Sequence, residues 1–152
     1  MDVRHGGLVI DVPEGWADQS TLLFVAPPEA VSAPTANKSV QATEVVAVRF
    51  AFGDEGADAR AALQKEAAAM AAGDAQFAVL AEGAFTCGLG TGWRAIQRVT
   101  IGGIALRQIS CAVVVGAVTV IATATAADAR FDKQQAQLER VLASMRAVGG
   151  AR

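Results

Sequence analysis

The sequence is poor in the residues that most often build reactive or metal-binding sites. It has no tyrosine, one histidine and two cysteines, and aromatic residues account for only 5% of the chain. One histidine and two distant cysteines do not provide the spacing of a metal site, so we expect no metal. We expect Cys87 and Cys111 to be buried thiols rather than a disulfide.

Charged residues are also scarce. They make up 18% of the sequence, and the formal net charge is −2. Lysine and arginine are scattered along the chain, without the basic stripe that indicates a nucleic-acid-binding protein. The slight excess of acid is too small to imply a cationic partner. We therefore expect no nucleic acid among the partners.

Export and membrane insertion are not expected either. The N-terminal residues lack a basic segment followed by a long apolar one, which predicts a cytoplasmic protein. The longest apolar stretch, residues 104–127, must be weighed as a membrane span. Arg107 and Gln108 lie near one end of it, and its threonines favour strands, so we predict a soluble sheet without membrane insertion.

The stretch 104–127 is the centre of the predicted fold. β-Branched residues dominate it on both sides of Gly116, which predicts two antiparallel strands joined by a turn. Gly102-Gly103 is a second hairpin signal, just before this stretch. The chain therefore predicts several neighbouring strands that pair antiparallel.

The other predicted elements complete one domain, residues 1–152. Asp58 is a good N-cap for a helix that ends near Ala72, and Asp128 is the predicted cap of a final helix that continues to about Val148. Further strands are predicted at Leu8–Val12, Thr21–Ala26, Glu44–Phe52, Phe77–Thr86 with an interruption at Gly83, and Trp93–Ile101, and a loop at residues 27–42. The fold class is α+β: a mostly antiparallel, twisted sheet of six to seven strands with two amphipathic helices.

The central strands lack the polar alternation of a sheet with one wet face. Alternation places Leu106, Gln108, Ser110 and Ala112 on one face, and the residues from Arg107 to Val113 at odd positions on the other. Both sets are poor in charge, whereas an antiparallel sheet usually has one polar side. Either helices cover both faces, or one face binds something apolar.

No set of residues predicts catalysis. The glycine-rich segment 88–92 lacks the Lys-Ser/Thr pair and following helix of a phosphate-binding loop. Asp54, Glu55 and Asp58 are better explained as solvated residues at a helix N-terminus. We therefore expect no enzyme activity and no cofactor.

Five runs in the chain resemble a known family. They are VPEGWADQS from Val12, VVAVRF from Val45, IALRQISCAVVVG from Ile104, VIATATA from Val120 and LASMR from Leu142. With these runs the sequence resembles the DcrB-related family, which has the PsbP-like fold. More narrowly, it resembles the EagR-type chaperones that accompany type VI secretion effectors.

That resemblance implies a function. Such chaperones are cytosolic homodimers that hold the N-terminal transmembrane helices of a secreted effector against a sheet face. The resemblance places Gln108, Leu106 and Ser110 in this client-binding groove, and we expect Val46 and Val48 to join them from the third predicted strand, Glu44–Phe52. The alternative is a PsbP-like, non-enzymatic protein-binding module with a soluble or envelope partner. An uncharged groove favours the membrane-helix client, and a charged groove favours a soluble one.

Overall fold

The structure is a computed structural model that describes residues 2–5, 8–14, 17–20, 23–25, 44–52, 58–73, 76–116 and 118–148. The predicted loop at residues 27–42 lies outside these residues. The elements in chain order are β1 (Asp2–His5), β2 (Leu8–Asp11), β3 (Ala17–Ser20), β4 (Leu23–Val25), β5 (Val45–Phe52), α1 (Ala59–Ala71), β6 (Gln76–Cys87), β7 (Gly90–Ile101), β8 (Ile104–Val115), β9 (Val118–Ala127), α2 (Asp128–Ala143) and β10 (Arg146–Ala147).

Seven strands form one antiparallel sheet in the order β3-β4-β5-β9-β8-β7-β6. The four strands from β6 to β9 follow one another along the chain and pair as consecutive hairpins. The short strands β1, β2 and β10 form a separate antiparallel sheet. The predicted α+β class, with a mostly antiparallel sheet of six to seven strands and two helices, is confirmed.

Two of the turns follow directly from glycine. Gly102 and Gly103 have φ angles of 57° and 79°, and Gly116 has a φ of 61°. Two adjacent residues with positive φ are what the tight hairpin between β7 and β8 requires, and glycine adopts that conformation without a steric penalty. The hairpin and the turn at Gly116 are both confirmed.

One helix lies on each face of the seven-stranded sheet. Asp58 caps α1 as predicted, because its Oδ1 accepts a hydrogen bond of 2.7 Å from the backbone N–H of Ala61. Helix α1 packs on β7 and β8 and buries only Ala59, Ala62 and Leu63. We call the sheet face beneath it the α1 face.

Helix α2 covers the other face, which we call the α2 face, and forms the larger core. Its four buried residues pack against β5, β8 and β9; they are Phe131, Leu138, Val141 and Leu142. Helices therefore cover at least part of both faces, which accounts for the missing polar alternation. In the part of the chain that is described, no helix is long and apolar enough to cross a membrane.

Helix α2 ends earlier than predicted. It stops at Ala143 instead of continuing to about Val148. The Oγ of Ser144 accepts a hydrogen bond of 2.8 Å from the N–H of Asp11 and donates one of 3.0 Å to the carbonyl of Asp11. The next residues, Arg146–Ala147, pair with β2. A tertiary contact thus replaces the last helical turn, although the apolar spacing continues.

Three smaller predictions were also wrong. Asp128 is the first residue of α2 and not its cap, because the N-cap is Ala127. Strand β6 is continuous through Gly83, and its irregularity is a bulge between Val79 and Ala81. Strand β6 continues to Cys87 and β7 begins at Gly90, so the turn in the glycine-rich segment is shorter than expected.

Candidate functional site

Strand register brings uncharged polar side chains together on the α1 face. In the pairing of β7, β8 and β9, Gln108 lies between Gln97 and Thr125. In the same pairing Ser110 lies beside Thr123. Residues directly opposite each other in neighbouring strands share a face, so all five side chains point to the same side of the sheet.

These five residues form one hydrogen-bonded set, which we call the polar network. The Nε2 of Gln97 donates to Gln108 Oε1 at 3.2 Å and to Ser110 Oγ at 2.9 Å. The Nε2 of Gln108 in turn donates to Thr125 Oγ1 at 3.1 Å. The hydroxyls of Ser110 and Thr123 are 3.2 Å apart. The polar network therefore crosses three strands without a charged member.

Burial explains why these side chains bond to one another. Gln97, Gln108 and Ser110 are 5%, 8% and 5% exposed, whereas Thr123 and Thr125 are half-buried. A buried amide or hydroxyl is costly unless it has hydrogen-bond partners. The network provides those partners within the chain and reaches the surface at the two threonines.

An uncharged surface adjoins the polar network. Val45 pairs with Thr125 and Ala47 pairs with Thr123, so β5 continues the α1 face beyond β9. Ala47 is exposed, and Val45, Thr123, Thr125 and Leu106 are half-buried. We call these five residues the uncharged strip. Its side chains are small or apolar, and none of them carries a formal charge.

Larger apolar side chains extend this surface past Leu106. Ile101 and Ile104 face each other at the β7–β8 hairpin and are 50% and 43% exposed. Strand alternation puts them on the same face as Leu106. Val79, which pairs with Gln97, is 48% exposed. Contiguous exposed apolar side chains of this kind are characteristic of interaction surfaces.

The structure brings together three of the five residues expected in the groove. Gln108, Leu106 and Ser110 share the α1 face. Val46 and Val48 do not join them, because they pair with Ala124 and Ala122 and are buried beneath α2, at 0% and 3% exposure. Side chains of a strand alternate between its two faces, so an error of one residue in the predicted alternation places both valines on the wrong face.

Sequence reasoning missed Gln97, Thr123 and Thr125, and it missed Val45 and Ala47 in β5. A signal for Gln97 was present. The two-residue turn at Gly102-Gly103 determines the hairpin register, and counting back from it places Gln97 opposite Gln108. No two-residue turn joins β5 to the strands that pair with it, so the face on which its side chains lie could not be counted from a turn.

A cluster of charged side chains lies on the α2 face. Arg107 contacts Asp128 at 2.7 Å and Asp132 at 3.1 Å, and Arg98 lies 3.4 Å from Asp128. The hydrogen bond from Arg107 is the main reason that the pKa of Asp128 lies below its usual range. The guanidinium of Arg107 also lies 5.0 Å from the Phe131 ring centroid. These contacts hold the start of α2 on the sheet.

The thiols are not suited to nucleophilic chemistry. Both cysteines are free, with Cys111 buried and Cys87 half-buried. Burial raises the pKa of Cys111 to about 12 and also raises that of Cys87. Such thiols remain protonated at neutral pH, whereas reactive cysteines have lowered pKa values. No cluster of three or more metal-ligating side chains occurs among the described residues.

Of two clefts lined by described residues, one is small and the other is distant from the polar network. Between α1 and the edge of the sheet, Arg60, Trp93 and Gln97 help to line a space of about 30 Å³, enough for about one water molecule. A larger cleft of about 360 Å³ lies between β2 and α2 and includes Pro13 and Arg140. Neither of these two clefts forms an enclosed small-molecule pocket at the polar network.

Comparisons with known proteins identify the fold. No protein-family model matches the sequence, and the search of curated proteins finds no match. Among solved structures, LpqN of Mycobacterium tuberculosis, involved in cell envelope biogenesis, is similar with a TM-score of 0.62 and 14% identity over 96% of this chain and 88% of that one. The Ran-binding protein Mog1p of Saccharomyces cerevisiae has a TM-score of 0.62 and 14% identity, over 94% and 91% of the two chains.

A third similar structure is the cyanobacterial PsbP protein, CyanoP, of Synechocystis sp. PCC 6803. Its TM-score is 0.60, with 13% identity over 93% of this chain and 82% of that one. Identities this low show a shared fold and not a shared activity. The chain has the PsbP-like fold.

Proposed function

We propose that this protein is a non-enzymatic binding module, and specifically a cytosolic, homodimeric chaperone of the EagR type. Its client is an effector of a type VI secretion system with N-terminal transmembrane helices. The α1 face holds those helices until export. The observation that carries the proposal is the uncharged strip beside the polar network.

The chemistry of the strip suits an apolar helix. A transmembrane helix in water must cover its apolar side chains, and Leu106, Val45 and Ala47 present apolar surface for that purpose. The small side chains of the strip allow a helix backbone to approach closely, as small residues do in membrane-helix packing. A charged client would find no formal charge on this strip to pair with.

The threonines add a polar element. Thr123 and Thr125 are half-buried and belong to the polar network. Hydroxyls at such positions can hydrogen-bond to polar side chains of transmembrane helices, a common contact between such helices. Because Gln108 and Ser110 hold the two hydroxyls, the network positions them toward the client.

The second candidate is a PsbP-like binding module for a soluble or envelope protein. It is favoured by the fold that this chain shares with a Ran-binding protein and with a protein involved in cell envelope biogenesis. The exposed apolar side chains at Ile101, Ile104 and Val79 also suit a soluble partner with an apolar patch.

Affinity capture of the tagged protein from its own host, followed by mass spectrometry, distinguishes the two candidates. We expect recovery of a large protein that begins with apolar helices. The capture is repeated with Ala47→Glu and Thr125→Lys, which place a charge on the uncharged strip. Burying an unpaired charge against an apolar helix is costly, so both variants should lose the client.

The matched control is Ala68→Glu, a charge on an exposed position of α1. It should retain the client as the wild type does. Capture of soluble proteins without apolar helices would favour the second candidate. Retention of a helix-bearing client by both strip variants would show that the client binds elsewhere.

A further inference from the structure

Strand β6 forms one edge of the seven-stranded sheet. It is 12 residues long, about twice the usual strand length, and among the described strands only β7 pairs with it. Most of its side chains are exposed, including Val79 and Leu80 at 48% each. An outer edge of this length offers a row of backbone N–H and C=O groups to another strand.

The usual protection of an edge strand is largely missing from β6. Natural edges carry lysine, proline or several charges that discourage pairing. Strand β6 has no lysine or proline, and Glu82 is its one charged residue. Arg60 of the same chain neutralises Glu82 across 2.9 Å. A bulge at Val79 and Ala81 interrupts one end, but the segment from Ala81 to Cys87 pairs regularly.

A glycine in this segment has no explanation within the chain. Gly83 is not among the described glycines with a positive φ, and no atom lies within 4 Å of the position that its Cβ would take. By contrast, a Cβ at Gly92 in the next strand would lie 1.9 Å from the carbonyl oxygen of Ala112. Glycine inside a strand often marks the close approach of another backbone.

We propose that β6 pairs antiparallel with β6 of a second copy of this chain, around a two-fold axis near Ala84. The two sheets then become continuous, and the two α1 faces lie side by side. A two-fold axis makes an edge strand complementary to itself. The Arg60–Glu82 pairs of the two copies also approach as neutral units, without repulsion between like charges. The proposal rests on the proposed function only for the expectation of a homodimer.

The strand that pairs with β6 belongs to a second copy, because β6 has few side-chain features that could recognise a different sequence. Strand addition gains its specificity from pockets for alternate side chains of the added strand. The segment Ala81–Cys87 presents mainly small residues, such as Gly83 and Ala84, which form only shallow walls for such pockets. Backbone pairing with an identical strand needs no such pockets.

Sedimentation velocity at about 10 µM tests the proposal. We expect the wild type to sediment as two copies. Ala84→Lys should sediment as one copy, because the two-fold axis brings the two new lysines opposite each other, where like charges repel. The matched control, Ala68→Lys on an exposed position of α1, should remain two copies.

Mixing tests the interface directly. An equimolar mixture of Ala84→Lys with Ala84→Glu should recover two copies per particle, because opposite charges then face each other at the axis. A wild type that sediments as one copy, or a lysine variant that stays at two, would overturn the proposal. Client capture is measured on the same variants. A dimer through β6 that captures no helix-bearing client would leave this inference standing while the proposed function fails.

Discussion

The side-chain amide of Gln97 donates a hydrogen bond of 3.2 Å to the side-chain oxygen of Gln108 across two neighbouring strands, and both residues are buried. Two glutamines inside a sheet are stable only because each meets the other and a hydroxyl. This pair belongs to the buried part of the α1 face, and the more exposed uncharged strip lies beside it.

We predict that Gln97→Leu and Gln108→Leu each lower the free energy of unfolding by about 1–3 kcal/mol, because each removes one of the hydrogen-bond partners of the other, buried glutamine. The double variant should lose less than the sum of the two, since it removes both polar groups. Urea unfolding followed by circular dichroism measures all three. Gln64→Leu, on an exposed position of α1, is the control and should have little effect. Strictly additive losses would show that the two side chains are not coupled.

The two strand glycines give opposite predictions. Gly92→Ala should destabilise the fold by about 3 kcal/mol or more, because the new Cβ would lie 1.9 Å from the carbonyl oxygen of Ala112 and force the strands apart. Gly83→Ala should leave the stability of a single copy of the chain unchanged or raise it by about 0.5–1 kcal/mol, because its Cβ meets no atom of the same chain and the unfolded chain loses conformational freedom. Thermal unfolding of the two variants side by side provides the comparison. Equal losses would contradict the close approach at Gly92.

Asp128 should make stability depend on pH. Arg107 holds the pKa of this carboxyl below its value in the unfolded chain. The ionised carboxylate therefore stabilises the fold above the unfolded pKa of about 4, and this stabilisation disappears as the pH falls through the folded pKa. We expect Asp128→Asn to melt below the wild type at about pH 7, and the difference to shrink at about pH 3.

The control for this experiment is Asp132→Asn. Asp132 also contacts Arg107, but its side chain is 85% exposed, so solvent screens the pair and the loss should be smaller. A melting difference for Asp128→Asn that stayed constant across the pH range would show that the charge of Asp128 is not what stabilises the start of α2.

The two thiols should react at different rates. Burial raises the pKa of Cys111 to about 12, and Cys87 is only half-buried with a smaller rise. Iodoacetamide at neutral pH should therefore modify Cys87 slowly and Cys111 only after unfolding in urea, because the thiolate is the reacting form. Peptide mass spectrometry locates the label. Labelling of Cys111 in the native protein as fast as Cys87 would contradict the buried position of β8.

Much of the fold could be predicted from local signals. The hairpin at Gly102-Gly103 and the cap at Asp58 each depend on chemistry within a few residues. The same turn contained enough information to place Gln97 opposite Gln108. The end of α2 could not be predicted in this way, because Ser144 bonds to Asp11 from the other end of the chain.

The sequence by itself determined the α+β class, the antiparallel order of the central strands, and the face shared by Leu106, Gln108 and Ser110. These follow from alternation and turn residues, whose effect is local. Only the tertiary structure decided that Val46 and Val48 lie beneath α2, with Val45 and Ala47 beside the polar network. The reason is physical: both faces of β5 suit burial, so its parity is set by pairing with β9, far along the chain, and not by its own pattern.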